Sequence, residues 1–256
     1  MRELLKRIIV GLVDTRARAA HFNFPTKYIW RWKLEMLAGR YEKDTTDLFK
    51  EIIRPGMTVF DIGAHIGYFT RLFSRLAGRT GKIFAFEPDP ENFALLEKNI
   101  AHLSNVTLIN AAVSDNEGTI DFYQIEDSTG CHTTIPTNAP AKKLAVEAIR
   151  IDDFARTATP DVIKMDIEGG EPRALHGMEA MLSSRRPLKI VMELNPEALA
   201  RSGTTPAEII ASLKQKGFTA YGILRGGKRS SEIADIEGLK LYEGKSDYAN
   251  VLFERQ

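Results

Sequence analysis

The chain has little of several features that would mark a specialised class of protein. It has a single cysteine, Cys131, among 256 residues, which excludes a framework of internal disulfides. It has no run of about 18 apolar residues, the length that a membrane-spanning helix needs. Its formal net charge is only +1, so no basic surplus predicts nucleic acid as an obligate partner. These absences predict a globular, cytoplasmic protein.

What the chain does contain suits one large α/β core. Hydrophobic residues make up 43% and charged residues 27% of the sequence, which is ordinary for a globular domain. The simplest division is a helical extension or lid over residues 1–43, followed by one domain over residues 44–256.

The extension differs from the rest in charge. Residues 1–40 carry nine Lys and Arg against three Asp and Glu, so the remainder is slightly acidic. Charges within the apolar stretch argue against a signal peptide. An amphipathic helix is predicted, which either packs on the domain or on another subunit in a homo-oligomer, or binds an anionic membrane surface. The aromatic cluster at 28–32 either forms part of a lid or docks the extension. The helix prediction rests on apolar residues at helical spacing: Leu4, Leu5, Ile8, Ile9, Leu12 and Val13.

Strand and helix patterns alternate from residue 44 onward. This alternation predicts a mostly parallel sheet of about seven strands, with helices on both faces and an antiparallel last strand. A segment near 118–151 is predicted as an insertion beside the site, with strands 118–125 and 145–151 around a polar stretch, and 225–247 as a loop. The predicted core strands are 57–62, 82–87, 106–113, 161–166, 188–194, 219–224 and 249–254. The predicted helices are 45–53, 66–77, 90–101, 171–183 and 205–216.

The turn after the first strand carries the clearest chemical signal. Residues 59–70 read VFDIGAHIGYFT, an apolar strand that breaks into a turn with Gly63 and Gly67 and then a helix. Its spacing is D-x-G-x-x-x-G, with an acid where a dinucleotide fingerprint has its first glycine. The carboxylate of Asp61 would repel a pyrophosphate, whereas it would attract an amino group or ribose hydroxyls. S-adenosylmethionine carries both groups, although the glycines alone would also suit a tightly packed turn.

Acidic residues lie at the carboxyl ends of several of the later strands. Glu87 ends the second strand and lies at a distance from the glycine turn that suits a ribose-binding acid, although it could also favour the start of the next helix through the helix dipole. Asp166 and Glu168 follow the strand VIKM, and Glu193 ends the strand KIVM. Ligands of open α/β sheets collect at these strand ends. The alternative for Asp166 and Glu168 is that they only shape the following turn.

Five segments together resemble the FkbM-type S-adenosylmethionine-dependent methyltransferases. The resemblance covers roughly residues 45–224 and implies a Rossmann-like class I fold, S-adenosylmethionine as cofactor, and O-methylation of a hydroxyl on a sugar or natural-product small molecule. The segments are VFDIGAHIGYFT, FAFEPDPENFALLEKNI, NVTLINAAVSD, IRIDDF and VIKMDIEGGEPRALHGM.

The resemblance also implies roles for individual residues. The donor-binding set is predicted from the glycine turn and the second strand, with His65 beside it. Ser114 and Asp115 are weaker members, because the acid expected after the third strand is preceded here by alanines. The predicted cofactor-binding residues are Asp61, Gly63, Ala64, His65, Gly67, Glu87, Ser114 and Asp115.

Methyl transfer to a high-pKa hydroxyl calls for a base near the donor methyl group. Asp166 is the first candidate by position, followed by Glu168 and His132. Alternatively, Asp166, Glu168 and Glu193 hold a divalent cation such as Mg²⁺, which is not the expected mechanism.

Other functions stay open at this stage. An N-methyltransferase or a nucleic-acid methyltransferase would use the same donor site. A nicotinamide-dependent oxidoreductase would need the G-x-G-x-x-G turn that is missing here. A non-catalytic Rossmann-like binding module would leave the acids at the later strand ends without a role.

Overall fold

A computed structural model describes residues 2–26, 28–126, 128–154, 158–233 and 249–256. Within these ranges the helices are α1 (Arg2–Ala19), α2 (Trp30–Leu37), α3 (Lys43–Ile52), α4 (Tyr68–Ala77), α5 (Pro90–Ile100), α6 (Ile151–Phe154), α7 (Glu171–His176), α8 (Glu179–Ser183), α9 (Pro196–Arg201) and α10 (Pro206–Gln215). The strands are β1 (Thr58–Ile62), β2 (Lys82–Phe86), β3 (Val106–Ile109), β4 (Ala112–Val113), β5 (Gly118–Ile125), β6 (Ala141–Ile149), β7 (Val162–Met165), β8 (Leu188–Leu194), β9 (Thr219–Ile223), β10 (Arg229–Glu232) and β11 (Ala249–Arg255).

The main sheet runs in the order β10-β9-β11-β8-β7-β1-β2-β3. Strands β3, β2, β1, β7 and β8 pair in parallel, while β11 lies antiparallel between β8 and β9. The predicted α/β class, the mostly parallel sheet and the antiparallel last strand are therefore confirmed. In the described ranges the sheet has eight strands rather than about seven, because β10 pairs with β9 inside the segment predicted as a loop. Residues 234–247 of that predicted loop lie outside the described residues.

The apolar run 106–113 is not one strand. The chain leaves the main sheet after Ile109, and Ala112 already belongs to a second sheet of order β4-β6-β5. Between them the Asn110 side chain donates to the carbonyl of Glu87 at 2.7 Å, which fixes the bend. The polar Asn110 interrupts the apolar pattern at this point, and the predicted single strand was wrong. The predicted insertion is this second sheet, in which β6 begins at Ala141 rather than at 145.

The core fills both faces of the main sheet. Successive residues of a strand point to opposite faces, and Val59 packs with the helices α3 and α4 while Phe60 packs with α6, α7 and α8. Helix α7 ends at His176, so the predicted helix 171–183 is two helices. The break has a physical reason: the Gly177 carbonyl accepts from the backbone N–H of Asp152 at 2.9 Å, and the Asp152 carboxylate accepts from the N–H groups of Ala180 and Met181, so these groups do not continue the helix.

The N-terminal helices α1 and α2 pack on each other and on the domain through the buried side chains Val13, Ala17, Phe22 and Met36. The side chains before Ile9, including Leu4, Leu5 and Ile8 of the predicted apolar stripe, lie outside the described part. Among the described residues, no helix combines the length and apolar character needed to cross a bilayer.

The strand order fixes where a ligand can bind. Chain order runs outward from β1 toward β2 and β3 on one side, and from β7 toward β8 on the other. The loops after β1 and β7 therefore separate and leave a crevice at their carboxyl ends, which is the usual ligand position in such sheets.

Candidate functional site

A cavity of about 520 Å³ opens at this crevice. Its wall combines the glycine turn after β1, the end of β2, the ends of β7 and β8, and the loop between β5 and β6. The N-terminal extension closes another side with Tyr28, Trp32, Met36, Tyr41 and Glu42. The site thus draws on parts of the chain far apart in sequence.

The glycine turn forms one edge of the cavity through Gly63, Ala64 and His65. The backbone N–H groups of Gly63 and Ala64 both donate to the carbonyl of Phe86 at 3.0 Å, so the turn is attached to β2. Gly63 has a φ of 80°, and a side chain there would lie 1.9 Å from the carbonyl oxygen of Asp166. Only glycine lets the turn pass this close to the end of β7.

Two residues of the motif support the turn from outside the cavity wall. Asp61 is fully buried, and one of its carboxylate oxygens accepts from Thr70 Oγ1 at 2.6 Å. The other oxygen lies 3.9 Å from Lys164 Nζ without a hydrogen bond. Burial raises the pKa of Asp61 to about 6, against the lowering effect of Lys164. Gly67 begins α4, and a side chain there would lie 2.7 Å from Leu96 Cδ1.

Glu87 lines the cavity at the end of β2 and is only 5% exposed. Its two oxygens accept from the backbone N–H of His65 at 2.7 Å and of Asp89 at 3.0 Å. Burial raises the pKa of Glu87 to about 8, although these hydrogen bonds act in the opposite direction. The carboxylate is thus held in one orientation, with acceptor capacity left for hydroxyl donors in the cavity.

His65 lies between the glycine turn and the loop after β5. Its Nε2 lies 3.3 Å from Thr129 Oγ1, and its ring is 5.9 Å from that of Tyr28. Burial first, and the nearby charge of Lys164 second, lower the pKa of His65 to about 4. A neutral imidazole at this place suits a wall and hydrogen-bonding role.

The predicted acids Asp166, Glu168 and Glu193 come together on the opposite side of the cavity. Each offers a carboxylate oxygen within 4.8 Å of the other two. Burial first, and then the charge of Asp166, raise the pKa of Glu168 to about 7. Burial and the carboxylates of Asp166 and Glu168 raise the pKa of Glu193 to about 10. We call these three residues the acidic cluster. Its geometry suits the removal of a proton or the binding of a cation.

Glu42, at the start of α3, adds a fourth carboxylate to this side of the cavity. It accepts from the Asn250 side chain at 3.1 Å. Burial and the charge of Asp166 raise the pKa of Glu42 to about 7. No local pattern predicts a role for Glu42, because it belongs to the extension and reaches the cavity only through the packing of α3.

Lys164 is a second residue of the cavity wall that the sequence pattern did not predict. It lies within β7, is buried, and donates from Nζ to the Gly63 carbonyl at 3.0 Å and to Asp166 at 3.2 Å. Burial alone would lower the pKa of Lys164, but the carboxylates of Asp166 and Asp61 outweigh it and raise the pKa. A lysine within a four-residue buried strand, VIKM, was the available signal.

Glu171 explains why the turn after β7 holds its shape. It is 2% exposed, and its oxygens accept from the backbone N–H of Ile167 at 3.1 Å and of Gly169 at 2.9 Å. This turn sets Glu168 at a φ of 54°, an uncommon conformation for a residue with a side chain. Glu171, the last acid of the segment KMDIEGGE (residues 164–171), therefore positions the two acids before it.

His132 lines the cavity, but both of its ring nitrogens face other groups. Nδ1 accepts from the backbone N–H of Ile125 at 3.0 Å, and Nε2 lies 3.9 Å from Asp89 Oδ2. Asp89 is itself the N-cap of α5 and also accepts from the Gln124 side chain. Burial lowers the pKa of His132. This arrangement suits attachment of the β5–β6 loop to α5 better than proton removal.

Like Asp61 and Gly67, the predicted residues Ser114 and Asp115 are not part of the cavity wall. Ser114 is buried and donates to Asp115 at 3.1 Å. The wall at this end of the third strand consists instead of the small residues Ala111, Ala112 and Val113. The acceptor capacity of Asp115 is also used by the side chain of Asn116 at 2.9 Å.

The fold and the site define a class of protein, the Rossmann-like class I S-adenosylmethionine-dependent methyltransferases. The chain resembles the crystal structure of methyltransferase FkbM from Methylobacillus flagellatus KT with a TM-score of 0.50 and 16% identity, over 99% of this chain and 60% of that one. The family model for the methyltransferase FkbM domain matches residues 61–220. The chain therefore belongs to the FkbM methyltransferase family, and the predicted membership is confirmed.

Two curated relatives have named activities. The 2-O-methyltransferase NoeI of Sinorhizobium fredii is 28% identical over 151 residues, which are 52% of this chain and 62% of NoeI. The hexuronic acid methyltransferase AglP of Haloferax volcanii is 25% identical over 154 residues, which are 60% of this chain and 62% of AglP. Each match thus spans less than two thirds of the relative.

Proposed function

We propose that this protein is an S-adenosylmethionine-dependent O-methyltransferase that acts on a hydroxyl of a sugar or natural-product small molecule. The observation that carries the proposal is the pairing, across one cavity, of a glycine turn with Glu87 and of an acidic cluster opposite them. The family membership supports the donor, and the relatives named as 2-O- and hexuronic acid methyltransferases support the acceptor.

The donor side of the cavity consists of the glycine turn, residues 63–65, and Glu87. The cofactor supplies, when bound, a methyl group on a sulfonium that is transferred by in-line displacement. Glu87, fixed by its two backbone hydrogen bonds, accepts from the ribose hydroxyls. The turn presents its backbone to the amino acid portion, and Asp61 beneath it keeps negative charge on this side. These residues fit the predicted ligand by their donor and acceptor chemistry.

The acceptor side consists of the acidic cluster and the loop 128–134. Either Asp166 or Glu168 takes the proton from the acceptor hydroxyl. Asp166 was the first candidate by position, and its Oδ2 is engaged by Lys164. Glu168 has a pKa raised to about 7, close to the value at which a general base is most effective near neutral pH. His132 is less suited because its ring nitrogens face other groups.

A bound cation is the alternative way to activate the hydroxyl. Oxygen ligands from three carboxylates suit Mg²⁺, and a cation would relieve the repulsion that raises the pKa of Glu193. We expect activity to survive dialysis against a chelator, because the cluster can act as a base without metal. Loss of activity that Mg²⁺ restores would instead establish the cation.

The test of the proposed function has two stages. Calorimetry with S-adenosylmethionine, S-adenosylhomocysteine and NAD should show binding of the first two only. Labelled donor should then transfer methyl to members of a panel of sugars and natural products that offer free hydroxyls, with mass spectrometry of cell extract as a wider search. Preferential binding of NAD contradicts the proposal, and donor binding without turnover of any acceptor favours a non-catalytic module.

Two further parts of the proposal concern the whole chain. We propose a cytoplasmic location, in accord with the single cysteine. We also propose that the chain consists of an extension, residues 1–43, and a methyltransferase domain, residues 44–256. The position of Tyr28 and Trp32 on the cavity wall supports a lid role for the extension.

A further inference from the structure

The N-terminal extension concentrates the exposed apolar surface of the protein. Leu12 is 66%, Ile29 48%, Trp32 44% and Leu34 42% exposed, and these are the exposed large hydrophobic side chains of the described residues. Single exposed apolar residues are normal on any surface. Four within one short segment are not normal, because an apolar patch of this kind marks a place where something else binds.

These four residues belong to one pair of helices and their connection: Leu12 lies in α1, Ile29 directly precedes α2, and Trp32 and Leu34 lie in α2. Lys33 Nζ lies 3.1 Å from Asp14 Oδ1, which joins the part of α1 that carries Leu12 to the part of α2 that carries Leu34. Trp32 contacts the ring of Tyr28 with a centroid distance of 5.8 Å. The exposed arginines Arg16, Arg18 and Arg31 lie in the same segment. We call the four apolar residues and the three arginines the N-terminal patch.

The patch is separate from the contacts that attach the extension to the domain. Attachment uses the buried side chains of α1 and α2 and hydrogen bonds to their connection. Asn99 accepts from the Asn23 backbone at 2.6 Å, and Arg71 donates to the carbonyls of Ala20 and His21 at 3.1 Å. Docking of the extension on the domain therefore uses the buried side of its helices, and the residues of the N-terminal patch are not among these docking contacts.

The charge of the extension indicates what binds to the N-terminal patch. Residues 1–40 carry a surplus of six positive charges, whereas the rest of the chain carries five more negative than positive charges. A second copy placed patch to patch would bring the same positive surplus against it and be repelled. A surface of anionic lipids offers negative charge for the arginines and an apolar layer for the tryptophan, isoleucine and leucines. We propose that the N-terminal patch binds the protein to an anionic membrane surface without crossing it.

The location of Trp32 connects this surface with the site. Trp32 belongs to the N-terminal patch and also lines the cavity. A membrane in contact with the patch therefore lies beside one wall of the cavity. The inference itself does not depend on the proposed function, since lipid binding is measured without any methyl transfer.

Co-sedimentation of the full chain with lipid vesicles tests the proposal. We expect binding to vesicles of phosphatidylcholine mixed with an equal amount of phosphatidylglycerol, no binding to phosphatidylcholine alone, and weakening by added salt. The variant R16Q/R18Q/R31Q should bind about a hundredfold more weakly. The variant L12S/L34S should bind about tenfold more weakly.

A matched control separates the patch from general charge. The variant R79Q/R185Q/R186Q removes the same number of exposed arginines from elsewhere and should bind vesicles like the natural chain. Circular dichroism and donor calorimetry check that every variant is folded. Equal binding to both vesicle types, equal loss in the control, or absence of binding would overturn the proposal. So would sedimentation velocity that shows a dimer broken by L12S/L34S, because the patch would then belong to a second copy.

Discussion

The two sides of the cavity are built on different principles. On the donor side, each oxygen of the Glu87 carboxylate is held by a backbone N–H, and the turn beside it is attached to β2 by two further hydrogen bonds. On the acceptor side, three carboxylates lie within 4.8 Å of one another, and burial first and their repulsion second raise the pKa of Glu168 and Glu193. The donor side is held in one conformation by hydrogen bonds, whereas the acceptor side concentrates negative charge that a bound proton or cation would neutralise.

This difference indicates which changes should affect binding and which should affect chemistry. A fixed, hydrogen-bonded wall recognises one ligand, so damage there should appear as lost donor affinity. A cluster of raised-pKa acids responds to protons, so damage there should appear in the rate and its pH dependence.

The largest expected effect is on the acceptor side. Either Asp166 or Glu168 acts as the base, so we expect one of the variants D166N and E168Q to lower the single-turnover rate by about 10²- to 10⁴-fold, because general-base assistance is lost. Donor affinity from calorimetry should stay within about twofold, since neither residue lies on the donor side. The exposed Glu197 provides a matched control in E197Q, which should retain its rate. Full activity in both cluster variants would remove the base from this cluster.

Next comes the contact between the two sides at Gly63. We expect G63A to lose about 3 kcal/mol or more of stability and most of its donor affinity, because a side chain there meets the Asp166 carbonyl and φ is positive. Thermal unfolding and calorimetry measure both. As a control, Gly11 has nothing within 4 Å of an added Cβ, so G11A should be neutral or slightly stabilising. Normal donor binding by G63A would show that the turn is not needed.

A smaller effect is expected from Glu87. We expect E87Q to weaken donor binding by about ten- to a hundredfold, because the amide NH₂ group would replace one of the two oxygens that accept from the backbone N–H groups of His65 and Asp89. At saturating donor the rate should change much less. E91Q, in the exposed first turn of α5, is the control for charge in this region. A rate loss without an affinity loss would place Glu87 with the chemistry instead.

The smallest effect concerns stability and pH. The folded-state pKa of Glu193, about 10, lies above its ordinary value of 4.5, so its contribution to stability is present below about pH 4.5 and is lost as pH rises toward 10. E193Q should therefore be more stable than the natural chain by roughly 1–2 kcal/mol near pH 9, with the gap closing near pH 5. Denaturant unfolding at both pH values measures this. The exposed E117Q should show no such gap, and an equal gap at both pH values would contradict the assignment.

Much of this site follows from local sequence patterns. Asp61, Glu87, Asp166 and Glu193 lie at strand ends, and parallel strands bring their carboxyl ends to one edge of a sheet. The contribution of Glu42 did not follow, because it depends on how the extension packs. The sequence leaves the aromatic cluster that contains Trp32 between a lid role and a docking role, and the structure places Trp32 on the cavity wall. Lys164 was hidden for another reason: its neighbours predict a buried strand, and only its hydrogen bonds show why a charge is there.

The same limit explains the differences in the fold. Asn110 interrupts the apolar run 106–113, but only its hydrogen bond to the Glu87 carbonyl shows that the chain changes sheets there. The break at Gly177 likewise depends on hydrogen bonds to Asp152, which belongs to α6. Periodicity predicts an element, whereas a long-range contact decides where it ends.

The second sheet has a consequence for how this protein can vary. Ala112, where the chain enters that sheet, pairs directly with Ala148, near where it leaves. The chain between Ala112 and Ala148 includes β5, which pairs with β6. The loop 128–140, which lies between β5 and β6, supplies cavity residues such as Thr129 and Cys131. Lengthening such a loop costs little, because the entropy cost of closing a loop grows only with the logarithm of the loop length. Insertions there can remodel one wall of the cavity while the main sheet keeps its register.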